Sequence, residues 1–152
     1  MPAGVHLANV YGHEVGIAEH VMGAILALTR DFSRLDAHLR QGIWQSQWAV
    51  GMPPPAPWAE LAGKTLGILG YGRIGHALAR RARAFDMAVW ATRGDTNRRE
   101  TDGLAFLGGP DSLDDVLRVA DYLAITMALT NATHGPHWRA GAPVDEIQRH
   151  PG

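Results

Sequence analysis

The stretch Gly70-Tyr71-Gly72-Arg73-Ile74-Gly75 has the residue types and the spacing to hold a phosphate. A strand that turns sharply into a helix presents unpaired backbone N–H groups and a partial positive charge to an anion. Gly70 permits the tight turn, Gly72 lets the backbone approach the phosphate, and Gly75 lets helix and strand pack closely. A bare G-x-G-x-x-G is weak evidence, but here Thr65–Leu69 reads as a short buried strand before it and Ile74–Phe85 as a helix after it. The chemistry implied is the binding of a dinucleotide pyrophosphate.

The end of the next strand decides which dinucleotide. Met87–Thr92 reads as that strand. An Asp or Glu at its end would accept from the ribose 2′-hydroxyl of NAD, whereas an Arg accommodates the 2′-phosphate of NADP. The position falls on Arg93, directly after Thr92, and Asp95 stands two residues late. Arg93, with Arg98 or Arg99, suits a phosphate dianion. The expected cofactor is therefore NADP or NAD, with NADP favoured by Arg93; the competing reading makes Arg93 a solvated loop charge. Arg80, Arg81 and Arg83 read as a solvated helix face.

The elements that must position these groups follow from hydrophobic spacing. Residues 16–35 read as one amphipathic helix, with Ile17, Val21, Ile25, Leu28, Phe32 and Leu35 at three- and four-residue steps. A stiff connector follows, carrying Trp44, Trp48 and Trp58 around the proline run at 53–57. Beyond the second strand, Leu104–Leu107 reads as a short third strand. Ser112 is placed to cap a helix, with Asp115 completing a capping box, and that helix ends near Val119. Tyr122–Met127 reads as a further strand. Asp86 occupies the left-handed position past the glycine-motif helix, where glycine is usual. Strands alternating with helices imply an α/β fold: a partial Rossmann domain, a doubly wound parallel sheet of about four strands, with an N-terminal helix.

Composition bounds the remaining classes. The chain has 152 residues, a formal net charge of −1 and no cysteine. The charge gives no reason to expect nucleic acid or an anionic membrane as a partner. The absence of cysteine removes disulfides, thiolate metal sites and a cysteine nucleophile, and fits a reducing compartment. The longest apolar run, Val21–Leu28, is too short to span a bilayer, and the N-terminus lacks the pattern of a signal peptide, so the expected location is cytoplasmic. None of His13, His20, His134 and His137 has a carboxylate partner at orienting distance in sequence; they read as surface or cap residues, and no metal site is expected.

Three segments in order resemble the NAD(P)-binding domain of the D-isomer-specific 2-hydroxyacid dehydrogenases: ANVYGHEVGIAEHVMGAILALTR, LAGKTLGILGYGRIGHALARRARAFDM and LDDVLRVADYLAITMALTNATHG. The sequence departs from that family's pattern at Met127-Ala128, where Leu-Pro is usual, at Asp86 and at Arg93. The resemblance implies an oxidoreductase that moves hydride between a nicotinamide cofactor and a D-2-hydroxy acid or 2-oxo acid. It implies that Arg73 and Ile74 touch the pyrophosphate, that Thr92 and Arg93 meet the adenosine ribose or its phosphate, and that Met127, Ala128 and Thr133 line the cleft near the second ribose and nicotinamide. It also implies a homodimer in the intact parent, with the Ile17–Leu35 helix as the contact. The family's substrate-binding Arg, proton-transferring His and orienting Glu have no counterpart here, so no catalytic residue is assigned and this chain alone is expected to be inactive. The alternatives are a non-catalytic nucleotide-sensing interaction module and a non-functional truncated product.

The domain reading is accordingly residues 1–135 as a partial NAD(P)-binding domain without a substrate domain. After Gly135 the chain reads PHWRAGAPVDEIQRHPG, where the resemblance implies Leu-Ile-Gly and its continuation. Read one nucleotide later, the possible codons permit LIGARELRSMKSSAILV, so residues 136–152 are read as an out-of-frame tail.

Overall fold

A computed structural model describes residues 11–44, 58–95 and 103–128. The readings above for Trp48, the proline run, Arg98, Arg99, Thr133, His134, His137 and the 136–152 tail concern positions outside those residues.

Helices α1 (Glu14–Thr29) and α2 (Phe32–Arg40) come first. Then follow β1 (Thr65–Leu69), α3 (Arg73–Arg83), β2 (Ala88–Thr92), β3 (Phe106–Gly108), a 3₁₀ turn (Pro110–Ser112), α4 (Leu113–Val119) and β4 (Tyr122–Ile125). The four strands form one parallel sheet in the order β3-β2-β1-β4, as the alternation of strands and helices implied.

The helices take opposite faces of the sheet because β1 alternates. On one face Ile68 meets α3: a Cβ added to Gly75 would stand 3.2 Å from Ile68 Cγ2. On the other, the empty side of Gly67 receives α4, where an added Cβ would lie 2.9 Å from Val116 Cγ1 and 2.9 Å from Leu123 Cδ1. Leu66, Ile68, Leu78, Val89 and Val116 are the large side chains buried completely. Helix α1 packs beside α3 through Ala18, Met22 and Ile25. Its last turn is tied to β4 by a hydrogen bond between the Thr29 and Tyr122 hydroxyls, 2.7 Å.

The single helix expected over 16–35 is two helices. Asp31 takes a left-handed conformation (φ 52°), and α2 restarts at Phe32. Asp31 also pairs with Arg34. The predicted apolar stripe is divided as well. Ile25 is buried, whereas Leu28 and Phe32 are 76% and 53% exposed. The third strand lies later than expected, at Phe106–Gly108, where the Phe106 ring stacks on Trp90 of β2 with centroids 4.6 Å apart. Ser112 precedes α4 without capping it through its side chain, and Asp115 pairs with Arg118 at 3.2 Å. Asp86 does occupy the left-handed position past α3, with φ 56°. No helix of the described residues is long and apolar enough to cross a membrane.

Candidate cofactor site

The chain leaves β1 outward to β2 and β3, then returns to lay β4 on the other side of β1. Strand order reverses there, and a crevice opens at the carboxyl ends of β1 and β4, the place where open α/β sheets hold ligands.

The glycine turn sits in that crevice and is pinned from both sides. From the β2 side, the Thr92 carbonyl accepts from the N–H groups of Gly70 (3.1 Å) and Tyr71 (2.7 Å). From the β4 side, Thr126 donates its N–H to the Leu69 carbonyl (2.8 Å) and its hydroxyl to the Gly70 carbonyl (2.8 Å). Gly70 has φ 95°, and a Cβ there would stand 2.7 Å from Met127 N. Gly72 donates back to the Gly70 carbonyl at 2.7 Å.

The next three N–H groups belong to Arg73, Ile74 and Gly75, the first residues of α3. Among the described residues nothing accepts from them, which is the ordinary state of a helix start and the donor set an anion requires. A Cβ on Gly72 would meet nothing within 4 Å, so the approach to those donors is open. A Cβ on Gly75 would stand 3.1 Å from the Gly70 carbonyl oxygen. The roles read for the three glycines therefore each have a geometric counterpart, and the site fits a dinucleotide pyrophosphate.

Arg93 follows β2. Its N–H donates to the Gly108 carbonyl (2.9 Å) and its Nε to the Tyr71 carbonyl (3.1 Å), and its guanidinium lies 5.2 Å from the Tyr71 ring centre. Thr92 is buried, and its carbonyl already serves the turn. Arg73 is exposed and rests over the ring of Tyr11 at 4.3 Å. An open cleft of about 620 Å³ joins these parts; its lining includes Tyr71, Gly72, Arg73, His76, Arg80 and Arg93, with Glu14 and Asp95 as its acids. A smaller recess of about 200 Å³ beside it is bordered by Tyr11, Glu14, Arg73, Ile74 and Thr126 among others.

Glu14 opens α1, and Gly12 N donates to its Oε2 at 2.9 Å. Its carboxyl is held below the ordinary value by hydrogen bonding to its own backbone N–H and then to that of Gly12; desolvation opposes this, and Arg73 and His13 add attraction.

Gly70, Gly72, Arg73, Ile74, Gly75, Thr92, Arg93 and Met127 are thus brought to one end of the sheet. Ala128 follows Met127 and is exposed; Thr133 lies outside the described residues. Sequence reasoning passed over Thr126, Tyr71 and His76. Thr126 had one signal, its place at the carboxyl end of the strand expected beside the glycine turn. The arginines read as a solvated face differ among themselves. Arg81 is largely buried against α1 and pairs with Glu19 at 2.9 Å, whereas Arg80 is exposed and lines the cleft. No group of three His, Asp or Glu side chains among the described residues could hold a metal ion.

A family model for the D-isomer specific 2-hydroxyacid dehydrogenase, NAD binding domain, matches residues 22–137. The hydroxypyruvate reductase of Thermotoga maritima is 33% identical over 132 residues, which is 86% of this chain and 39% of that protein. The glyoxylate reductase of Pyrococcus furiosus is 34% identical over 118 residues, 76% of this chain and 34% of that protein. Among solved structures, a D-isomer specific 2-hydroxyacid dehydrogenase family protein from Aeromonas salmonicida superposes with a TM-score of 0.69 at 27% identity, over 88% of this chain and 39% of that one. The chain spans less than two fifths of the length of each of these relatives.

Proposed function

Because this chain belongs to the D-isomer-specific 2-hydroxyacid dehydrogenases, through their NAD-binding domain, we propose that it is the cofactor-binding part of an enzyme that interconverts a D-2-hydroxy acid and a 2-oxo acid. The observation that carries this reading is the open glycine turn at the reversal of strand order, with three N–H groups at the start of α3 that nothing among the described residues accepts from. When bound, the nicotinamide cofactor supplies the hydride acceptor or donor.

This chain's own residues bind and orient. The N–H groups of Arg73, Ile74 and Gly75 hold the pyrophosphate, with the Arg73 guanidinium adding charge. Thr92 and Arg93 meet the adenosine ribose. Met127 and Ala128, with Thr133, border the nicotinamide half. NAD(H) binding belongs to the family domain; for this chain we read a preference for NADP(H), because Arg93 stands at the end of β2 and is held to the turn through the Tyr71 carbonyl. Titration of the full chain with NADPH and NADH tests this. The expected result is tighter NADPH binding, reduced about 10–100-fold by Arg93→Ser, the loss expected for one charge-assisted contact. Equal affinity for the two nucleotides would remove the NADP reading and leave the dinucleotide site standing.

The exposed Leu28 and Phe32 support a homodimer through α1 and α2. Sedimentation of Leu28→Glu beside the wild type tests it, with a shift to monomer expected. The cysteine-free sequence supports a cytoplasmic location, which fractionation of cells carrying a tagged chain would check. Residues 136–152 are proposed to be out of frame. Resequencing across the Gly135 codon is expected to restore an in-frame continuation, and an unbroken frame as written would sink that proposal.

A further inference from the structure

The cleft beside the glycine turn gathers basic side chains from two elements. Arg73, His76 and Arg80 recur at three- and four-residue steps, so they share one stripe of α3. Arg93 faces that stripe from the end of β2, across the same cleft. The acids bordering it are Glu14, from α1, and Asp95. Arg73 belongs with the N–H groups at the start of the helix, while His76 stands a turn further on.

His76 and Arg93 also share a support. Tyr71 is only 3% exposed and so is held in place. The His76 ring lies against it with centroids 6.1 Å apart and planes tilted by 48°, and the Arg93 guanidinium lies 5.2 Å from its centre. The two side chains therefore approach Tyr71 from different elements. A single group that accepts from both would sit beside Tyr71, next to the end of β2, where the adenosine ribose belongs.

We propose that His76 and Arg93 close together on the adenosine 2′-phosphate, one from α3 and the other from the end of β2, with Tyr71 as their common support. This rests on the NADP reading above and adds a second specificity residue to it. The assignment carries a signature that a merely structural histidine would lack. A phosphate monoester gains its second negative charge near pH 6, and an imidazole gains its positive charge between about pH 8 and 5. Carboxylates and guanidiniums in general titrate outside that window. Preference for NADPH over NADH should therefore grow as pH falls from about 8 to about 6.5.

The test is calorimetric titration of the full 152-residue chain with NADPH, NADH and 2′,5′-ADP at those two pH values, for the wild type, His76→Gln and Arg93→Ser. His76 is exposed, so an unchanged thermal melt checks that the first variant folds. In the wild type the NADPH preference is expected to rise about 3–10-fold at the lower pH, the gain expected when one neighbouring donor acquires charge. In His76→Gln that pH dependence should vanish, and affinity for NADPH and 2′,5′-ADP should fall about 3–10-fold more than affinity for NADH. A wild-type NADPH preference that His76→Gln leaves intact at both pH values would overturn the role of His76 and spare that of Arg93. A wild type that binds NADPH and NADH alike would overturn the NADP reading and this inference with it. Failure of a cooperatively melting chain to bind any of the three probes would overturn the site.

Discussion

Replacing Gly70 with alanine puts a Cβ 2.7 Å from the backbone nitrogen of Met127 and 2.8 Å from its Cα, where ordinary contacts begin at 3.4 Å. Both neighbours are backbone, so no flexible side-chain tip can swing away. The alanine must also accept φ 95°. The left-handed backbone costs about 1–2 kcal/mol for a residue with a Cβ, and forcing extra atoms into a packed site about 1–3 kcal/mol. Together they predict a loss of about 2–5 kcal/mol, a large share of the roughly 5–15 kcal/mol that holds a domain folded. The thermal midpoint should drop by about 4–20 °C. Gly72→Ala is the matched control. Its Cβ meets nothing within 4 Å and its φ is −102°, so stability should stay within about 1 kcal/mol of wild type. Its methyl group, however, stands on the open side of the turn, and NADPH affinity should fall about 10–100-fold. Melts followed by circular dichroism, with and without NADPH, separate the two effects. A Gly70→Ala chain that melts like wild type would refute the strain argument. A Gly72→Ala chain that keeps full affinity would refute the close approach of the phosphate.

Three further outcomes follow from the same geometry. Thr126→Val keeps the shape but removes the hydroxyl that bonds the Gly70 carbonyl; it should cost about 0.5–1.5 kcal/mol in denaturant unfolding and weaken dinucleotide binding in calorimetry. Leu78→Ala, at a fully buried position of α3, should cost about 2–5 kcal/mol in the same unfolding assay while leaving the turn's contacts in place. Because the Glu14 carboxyl is held below its ordinary value in the fold, its stabilising share is present above the unfolded value and is lost as pH falls through the folded one. The wild type and Glu14→Gln should therefore differ in melting temperature near neutrality and converge between about pH 5 and 3.

The glycine turn, its two flanking strands and the helix after it were legible because each follows from local chemistry: apolar runs, glycine spacing, and the reach of one strand–turn–helix unit. The break at Asp31 was not. The spacing of Ile25, Leu28, Phe32 and Leu35 suits a single stripe, and periodicity is blind to one residue turning left-handed between two helical runs. The capping box failed for a related reason. Ser112 ends a 3₁₀ turn with φ −91° and ψ 14°, not the extended backbone that an N-cap residue usually has, and Asp115 finds Arg118 instead. Arg81 looked like its neighbours on α3; only the arrival of α1 gives it Glu19. The same holds at the site. Gly70 and Arg93 could be found from the motif, but Thr126 and His76 acquire meaning only once β4 and the end of β2 are folded beside the turn.

The hydroxyl contact from Thr126 to the Leu69 and Gly70 carbonyls spans 57 and 56 residues of chain, and this sets a schedule. During synthesis at about 5–20 residues per second, roughly three to eleven seconds separate the making of the glycine turn from the making of the residues that close its far wall. Through that interval β1, α3 and β2 can assemble in sequence order, yet the turn has nothing behind it. The nucleotide site is thus closed only when β4 arrives, well after its glycine signature has been translated. A ribosome-bound chain halted before β4 should carry the full glycine motif and no affinity for the dinucleotide, and the first appearance of binding should mark the moment β4 docks.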